Sequence, residues 1–307
     1  MRNPFELRRA VAQGLRFLRR HQDLDGHWRD YELEPGRSEA WVTAYTGLAV
    51  WSGRRPGAAV RRAADALLRT RREEGWGYNS RTACDADSTS WSIRFLARTN
   101  ALDGIAIAPL LAMYATPSDT FRTFRSPERF GTWAGEHDEV TPLAGLALVA
   151  AGEHSLAARV RDAVLRTWRT KEEWVPFWWA TPAYASAQNL EFLAATGGIP
   201  EDVAAGESAR LLCRRPAGSA IETTQVLAMA LLLGLREAAC EACQLLLRAQ
   251  WPDGGWPPSP ALLVPEQQHD LSVPPQHFAD DRRIFGTAAA VVALRLTYYR
   301  SEECDDA

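Results

Sequence analysis

Apolar residues recur along the chain at helical spacing, and turn-forming residues cut the pattern into twelve segments: 4–22, 38–52, 56–72, 87–99, 103–115, 139–151, 154–169, 182–195, 200–213, 220–233, 235–249 and 284–300. Two kinds of segment alternate. Ala58–Arg72 and Leu156–Arg169 carry arginines on one face and apolar residues on the other, as outer helices do. Thr141–Ala151 and Thr223–Leu233 are apolar nearly all round, as buried helices are. No Asn-Gly turn and no sustained two-residue alternation predicts a strand. The alternation predicts an all-α fold, an (α/α)6 barrel of six inner and six outer helices. It fills residues 1–307 as one toroid domain, with residues 301–307 as a disordered acidic tail.

The connections fall into two classes. Those leading from an inner to an outer helix are short: 52–56, 100–102, 152–153, 195–200 and Gly234. Those leading from an outer to an inner helix are mostly long: 23–37, 73–86, 116–138, 170–181 and 251–283. In such a barrel the long loops share one rim, which is therefore the expected functional face.

A repeat marks the starts of the inner helices. Thr43, Thr89, Thr141, Thr181, Thr224 and Thr287 stand 40 to 63 residues apart, about one helix pair each. Their hydroxyls are expected to cap or brace a first turn. Two residues before each lies Trp41, Asp87, Glu139, Trp179, Glu222 or Phe285, three acids and three aromatics around one mouth. Acids at helix starts also complement the helix dipole, but that alone does not account for the aromatics between them. Acids in a tryptophan-lined cavity would be desolvated and held protonated, the state a proton-initiated reaction requires.

Composition narrows the field. Of 307 residues 46% are hydrophobic and 24% charged, enough for a large core. The net charge of −3 carries no footprint for nucleic acid. Five cysteines without a disulfide-scaffold spacing fit a reducing cytoplasm. The start of the chain lacks the apolar run of a signal peptide, and no stretch is apolar enough to span a membrane. Twelve tryptophans are a heavy load, and they gather in the long loops with the prolines.

Asp85-Ala86-Asp87-Ser88-Thr89 resembles the aspartate-rich motif of the class II terpene cyclases, the squalene–hopene and diterpene cyclase group, in which DxDD precedes Thr-Ala. The resemblance implies that Asp87 is the Brønsted acid for an alkene or epoxide, that Asp85 organises it, and that Thr89 is the motif threonine. Ser88 departs from the pattern, as the oxidosqualene cyclases also do at that position. Gln22-Asp-Leu-Asp-Gly26-His27-Trp28 and Gln250-Trp-Pro-Asp-Gly254-Gly-Trp256 share a Gln-x3-Gly-x-Trp spacing and resemble the QW repeat of the same superfamily; Glu74-Gly75-Trp76 is a shorter copy. Physically each closes an outer helix, with glycine in a left-handed turn and tryptophan packed back on the helix. Larger members of that family add a second helical domain, which this chain has no room for.

Protonating an alkene needs a dry acid, and the resulting cation needs aromatic walls that offer no nucleophile. The candidate walls are Trp41, Tyr45, Tyr78, Trp91, Trp133, Phe177, Trp178, Trp179, Tyr184 and Phe285, with Trp76 and Trp256 also near the rim. The run Trp174–Trp179 reads equally as cavity wall, packing plug or membrane-touching patch. Candidate bases for the closing proton transfer are Glu139, His137 and Glu222. Arg283, with Arg282, is placed to hold a diphosphate or to make a surface ion pair. Acid initiation needs no cofactor, whereas a diphosphate head group would bring Mg2+ with it.

The expected partner is a small hydrophobic isoprenoid. Asp280-Asp281-Arg-Arg-Ile284 lacks the second acid of a metal-binding DDxxD, and Cys240 with Cys243 reads as buried core rather than as a zinc site. Two rival functions share the same residues: acid-driven isomerisation or hydration of an isoprenoid alkene, and a non-catalytic prenyl-lipid-binding scaffold.

Overall fold

The computed structural model describes residues 4–53, 55–102, 104–213, 218–268 and 272–305. All twelve expected helices are present: α1 (Pro4–Arg20), α2 (Ala40–Val50), α3 (Ala58–Thr70), α4 (Ala86–Arg98), α5 (Ile107–Ala112), α7 (Val140–Ala150), α8 (His154–Lys171), α9 (Ala183–Ala195), α10 (Glu201–Cys213), α11 (Ala220–Leu232), α12 (Arg236–Ala249) and α13 (Ile284–Asp305). One further short helix, α6 (Pro127–Phe130), runs into a 3-10 turn at Gly131–Ala134 in the α5–α7 connection. Helix α5 is shorter than its periodicity suggests, because Gly104 takes a left-handed conformation (φ 74°) and delays its start. Helix α13 continues past residue 300, and residues 306 and 307 of the acidic tail lie outside the described residues.

Helices α2, α4, α7, α9, α11 and α13 each pack on the next, and α13 closes back on α2. This is the inner ring. Its members are buried nearly all round, as in α7, where Val140 through Leu148 are all buried. Bare backbone lets neighbours approach. A Cβ on Gly47 of α2 would stand 2.4 Å from the Phe95 ring of α4, and one on Gly145 of α7 would stand 2.5 Å from the Phe192 ring of α9. The outer helices α1, α3, α5, α8, α10 and α12 cover the ring, and all but α5 carry arginines on their outer sides. The fold is thus the all-α toroid its pattern predicts.

Contrary to the expectation of no strands, the long loops hold two small antiparallel hairpins. Strand β1 (Asp30–Leu33) pairs with β2 (Gly36–Ser38), and β3 (Leu262–Val264) with β4 (Gln276–Phe278). Strands of three or four residues are too short to show alternation, and the first turn uses Glu34-Pro35 instead of Asn-Gly.

These loops are stitched over one end of the ring. The Ala180 amide donates to the Ala261 carbonyl at 2.8 Å and Leu263 to Trp178 at 2.9 Å. On the far side of the mouth, Thr132 donates to Gln267 and the Trp133 indole to Pro265, at 3.0 and 2.8 Å. The α12–α13 loop therefore spans the inner-helix N-termini as a cover. Among the described residues no helix is long and apolar enough to cross a membrane.

Candidate active site

Asp85 caps α4. Its carboxylate accepts from the Ser88 amide at 2.6 Å and from the Ser88 hydroxyl at 3.0 Å, so the serine that departs from the motif works as a neutral donor to it. Burial pushes Asp85 up to about 7. Two residues on, Asp87 lies deep in the protein without being fully covered. Among the described residues its carboxyl has no hydrogen-bond partner. Burial first, then the neighbouring Asp85 and Glu139 carboxyls, raise its pKa well above the ordinary carboxylate range.

Glu139 faces Asp87 from the start of α7. Its Oε1 accepts from the amides of Phe177 and Trp178 at 2.9 and 2.8 Å, while Oε2 is buried without a partner. Burial raises this acid to about 7. The Tyr184 hydroxyl and the Trp91 indole nitrogen are likewise buried and unpartnered, and Tyr184 feels both Asp87 and Glu139. Four polar groups from α4, α7 and α9 thus lack an acceptor or donor in one region of the interior.

The aromatic residues form one continuous constellation beside this acid pair. Trp179 stacks on Tyr184 with centroids 3.9 Å apart, Phe285 lies 5.0 Å from Trp41 and 4.8 Å from Tyr45, and Tyr45 meets Trp91 edge-on at 4.8 Å. Tyr31, which sequence reasoning missed, joins it through Trp41, Trp179 and Phe285. Tyr78 supports Tyr31 from outside by donating its hydroxyl to the Tyr31 carbonyl at 2.6 Å.

Several candidate residues stand elsewhere. His137 stacks on Phe177 at 3.8 Å, takes a bond with Thr123 Oγ1 at 2.8 Å on Nδ1, and donates from Nε2 to the Thr132 carbonyl at 3.1 Å. Burial lowers it to about 4, so it is a neutral, fully bonded ring and not a free base. Phe177, Trp178 and Trp133 pack around it as a second group: Trp178 lies 5.7 Å from Trp133, and its indole nitrogen donates to Thr123. Glu222 turns back to its own helix start, accepting from the Gly218 amide at 2.9 Å while Ser219 caps α11. Arg283 is consumed by Asp253 at 2.5 Å and lies over the Phe17 and Trp251 rings, and Arg282 pairs with Asp23 at 2.8 Å. The surface reading of both arginines prevails. Trp76 and Trp256 are buried staples of the outer helices, outside the constellation.

Sequence reasoning also missed a clamp of two carboxylates. Asp30 accepts from the amides of Ile284 and Phe285 at 2.7 and 3.0 Å, and Asp280 from Ser259 and Gly286 at 2.6 and 2.8 Å. Together they tie the first hairpin to the start of α13, where the ring closes. It also missed the Arg94–Glu191 ion pair between α4 and α9, at 2.5 Å. For the ion pair the available signal was Glu191, the one charged residue of the otherwise uncharged helix α9. Among the described residues no group of three or more His, Cys, Asp or Glu side chains is placed to hold a metal ion.

This all-α toroid resembles the type II terpene cyclases along nearly its whole length. No protein-family model and no curated protein matches it, but solved structures do. The type II terpene cyclase MstE from Scytonema, in an apo variant, is 25% identical over 96% of this chain and 97% of that one, with a TM-score of 0.80. Another MstE structure holds geranylgeranyl dihydroxybenzoate as its substrate. A protein from Actinoplanes is 27% identical over 94% of this chain and 99% of that one, with a TM-score of 0.78. The ent-copalyl diphosphate synthase of Streptomyces platensis shares the fold at 18% identity and a TM-score of 0.61, and there the match covers 83% of this chain and half of that one.

Proposed function

We propose that this protein is a proton-initiated cyclase of an isoprenoid, with Asp87 as the acid. The observation that carries the reading is the state of that carboxyl: buried, without a hydrogen bond among the described residues, and pushed toward its protonated form by burial and two neighbouring acids. A carboxylate meant only to cap a helix would be hydrogen-bonded, as Asp85 is to Ser88. The likeness to MstE, a cyclase of a geranylgeranyl compound, supports the same reading.

In this mechanism Asp87 gives its proton to the less substituted carbon of the chain's terminal double bond, whose electron pair forms the new C–H bond. The tertiary cation left behind is attacked by the next double bond, which closes a ring and moves the positive charge along the chain. Trp91, Tyr45, Phe285, Trp41 and Trp179 present π-faces to that charge. Ionised Asp87 keeps the first cation close by Coulomb attraction. Glu139 Oε2 then takes a proton from the carbon beside the final cation, and the C–H electrons become the new double bond. Proton loss equals proton gain, so the product is an isomer of the substrate. No step requires a metal, and a diphosphate head group would carry its own Mg2+ outside the reacting centre.

The test is incubation of candidate isoprenoids in D2O, with mass spectrometry of the products. One new deuterium per product molecule is expected from the wild type and none from Asp87→Asn. Product that persists with the variant would remove Asp87 from the role.

A further inference from the structure

We infer that the barrel has a second, charged opening at its short-loop end, where Arg94 receives the anionic end of the substrate and Glu191 holds its place until the substrate arrives. This inference rests on the cyclase reading and names the substrate class: an isoprenoid carrying a carboxylate or phosphate group.

Three observations carry it. First, the long-loop end is shut. Tyr31, Trp41, Trp179 and Phe285 are each at most 5% exposed, and the loops are hydrogen-bonded across them. Exposure appears at the other end, where the Glu191 side chain is 45% exposed although it belongs to an inner helix. Second, the ion pair crosses the lumen. Helices α4 and α9 are not neighbours in the ring, since α7 stands between them, so a bond between their side chains passes across its inner side. Arg94 and Glu191 each stand eight residues past the first residue of a 13-residue helix, toward the short-loop end.

Third, Arg94 is under-bonded. Its Nη1 is buried with no acceptor, while Nη2 holds Glu191 at 2.5 Å. A guanidinium is built for a two-pronged acceptor, and here only one prong is used. Glu191 can swing to water at little cost because it is nearly half exposed, whereas Arg94, at 13%, cannot leave. An incoming carboxylate or phosphate could therefore replace Glu191 and use both nitrogens.

The geometry also orients the ligand. Asp87, Trp91 and Arg94 stand at i, i+4 and i+7 on one face of α4, with the guanidinium 4.5 Å from the Trp91 ring. Acid, aromatic plate and cation form a stripe, and the seven-residue rise from Asp87 to Arg94 is about 10 Å. The alkene end meets Asp87, the hydrocarbon lies on Trp91 and Tyr45, and the anionic end reaches Arg94. That span suits a short or tightly folded isoprenoid better than a triterpene.

The experiment is calorimetric titration in the Asp87→Asn background, where turnover is blocked, with farnesyl diphosphate, a farnesylated benzoate and farnesol. Arg94→Gln is expected to weaken the two anionic ligands by about tenfold or more while changing farnesol by less than about twofold. Glu191→Gln is expected to tighten the anionic ligands by removing their competitor. Preference between diphosphate and benzoate then distinguishes the two sources of the negative charge. If Arg94→Gln does not fold, Arg94→Lys replaces it, with a smaller loss for the anionic ligands only. Equal effects on all three ligands would overturn the inference and leave the cyclase reading standing. If the background protein binds none of the three, the isoprenoid reading falls and the inference with it.

Discussion

The amide of Trp76 donates to Thr89 Oγ1 at 3.0 Å, and the same hydroxyl gives its proton back to the Trp76 carbonyl at 3.1 Å. Trp28 and Thr43 repeat the exchange at 2.9 and 3.0 Å, and Trp256 donates to Thr287 at 3.1 Å. The threonine repeat and the tryptophan repeat are thus two halves of one joint. In these three joints the hydroxyl braces the incoming loop, whereas Thr224 braces its own first turn by donating to the Ile221 carbonyl at 2.6 Å. In each joint the indole nitrogen reaches back to an outer helix, as Trp76 does to the Leu67 carbonyl at 2.8 Å. A glycine before each tryptophan makes the turn, with φ of 96°, 104° and 94° at Gly26, Gly75 and Gly254.

Thr89→Val removes both bonds while keeping the side-chain shape, and it leaves a buried amide and carbonyl unpaired. A loss of about 1–3 kcal/mol is expected. Thermal unfolding would show it as a lower midpoint, with Thr89→Ser restoring most of the difference. Because Thr89 stands two residues from Asp87, Thr89→Val should also lower turnover. An unchanged midpoint would mean that the joint contributes nothing to stability.

Asp87→Asn should separate chemistry from folding. Among the described residues the carboxyl accepts no hydrogen bond, so its replacement breaks none, and the unfolding midpoint should stay level or rise as a buried acid is neutralised for good. Product formation should fall by about a hundred- to ten-thousand-fold. A variant that loses activity only because it unfolds would count against the assignment.

Much of this could be read before any coordinates. The inner helices announce themselves because α7 and α11 are apolar on every side, and a helix with no polar face has no place except inside. Asp87 was legible from its motif and its register with Thr89. Tyr31 was not, because its place depends on a hairpin of three- and four-residue strands and on Asp30 gripping amides some 254 residues away. His137 and Glu222 shared the favourable register of true candidates. Thr123 and the nearby Thr132 for His137, and the local Gly218 amide for Glu222, are where their polar atoms are bonded.

His137 offers a sharp contrast with the acids. Held near 4 by burial, it stays neutral through the usual working range. A base whose folded pKa is depressed keeps its stability contribution above the unfolded value of about 6.5 and loses it as pH falls toward 4. His137→Gln should therefore lower the unfolding midpoint at neutral pH, through loss of stacking on Phe177 and of the Thr123 bond, without moving any limb of the activity profile. A shifted limb would return His137 to the list of proton carriers.

The clamp at the ring's seam makes a different demand. Asp30→Asn keeps one carbonyl oxygen but faces the Ile284 and Phe285 amides, or those of Tyr31 and Arg282, with an NH2 group that cannot accept from them. A destabilisation of about 2–3 kcal/mol is expected, from two buried amides left unpaired. Hydrogen exchange should quicken first at the start of α13, where the ring closes, and uniform quickening across all inner helices would argue against a local seam.

Glu139 couples stability and activity in opposite senses. Burial raises it to about 7, and Asp85 likewise, from ordinary values near 4. Between those limits the folded chain holds protons that the unfolded chain has released. Stability is therefore fullest below about pH 4 and falls as pH rises through 7. Activity should run the other way over the upper part of that window, because Glu139 can accept the closing proton only after losing its own. The rate should climb across pH 7 and fall again where Asp87 ionises. Glu139→Gln keeps an oxygen for the Phe177 and Trp178 amides but cannot ionise, so it should reduce the stability slope to Asp85's share and abolish the rising limb together. A rising limb near 7 that survives in Glu139→Gln would assign the closing proton transfer to another group.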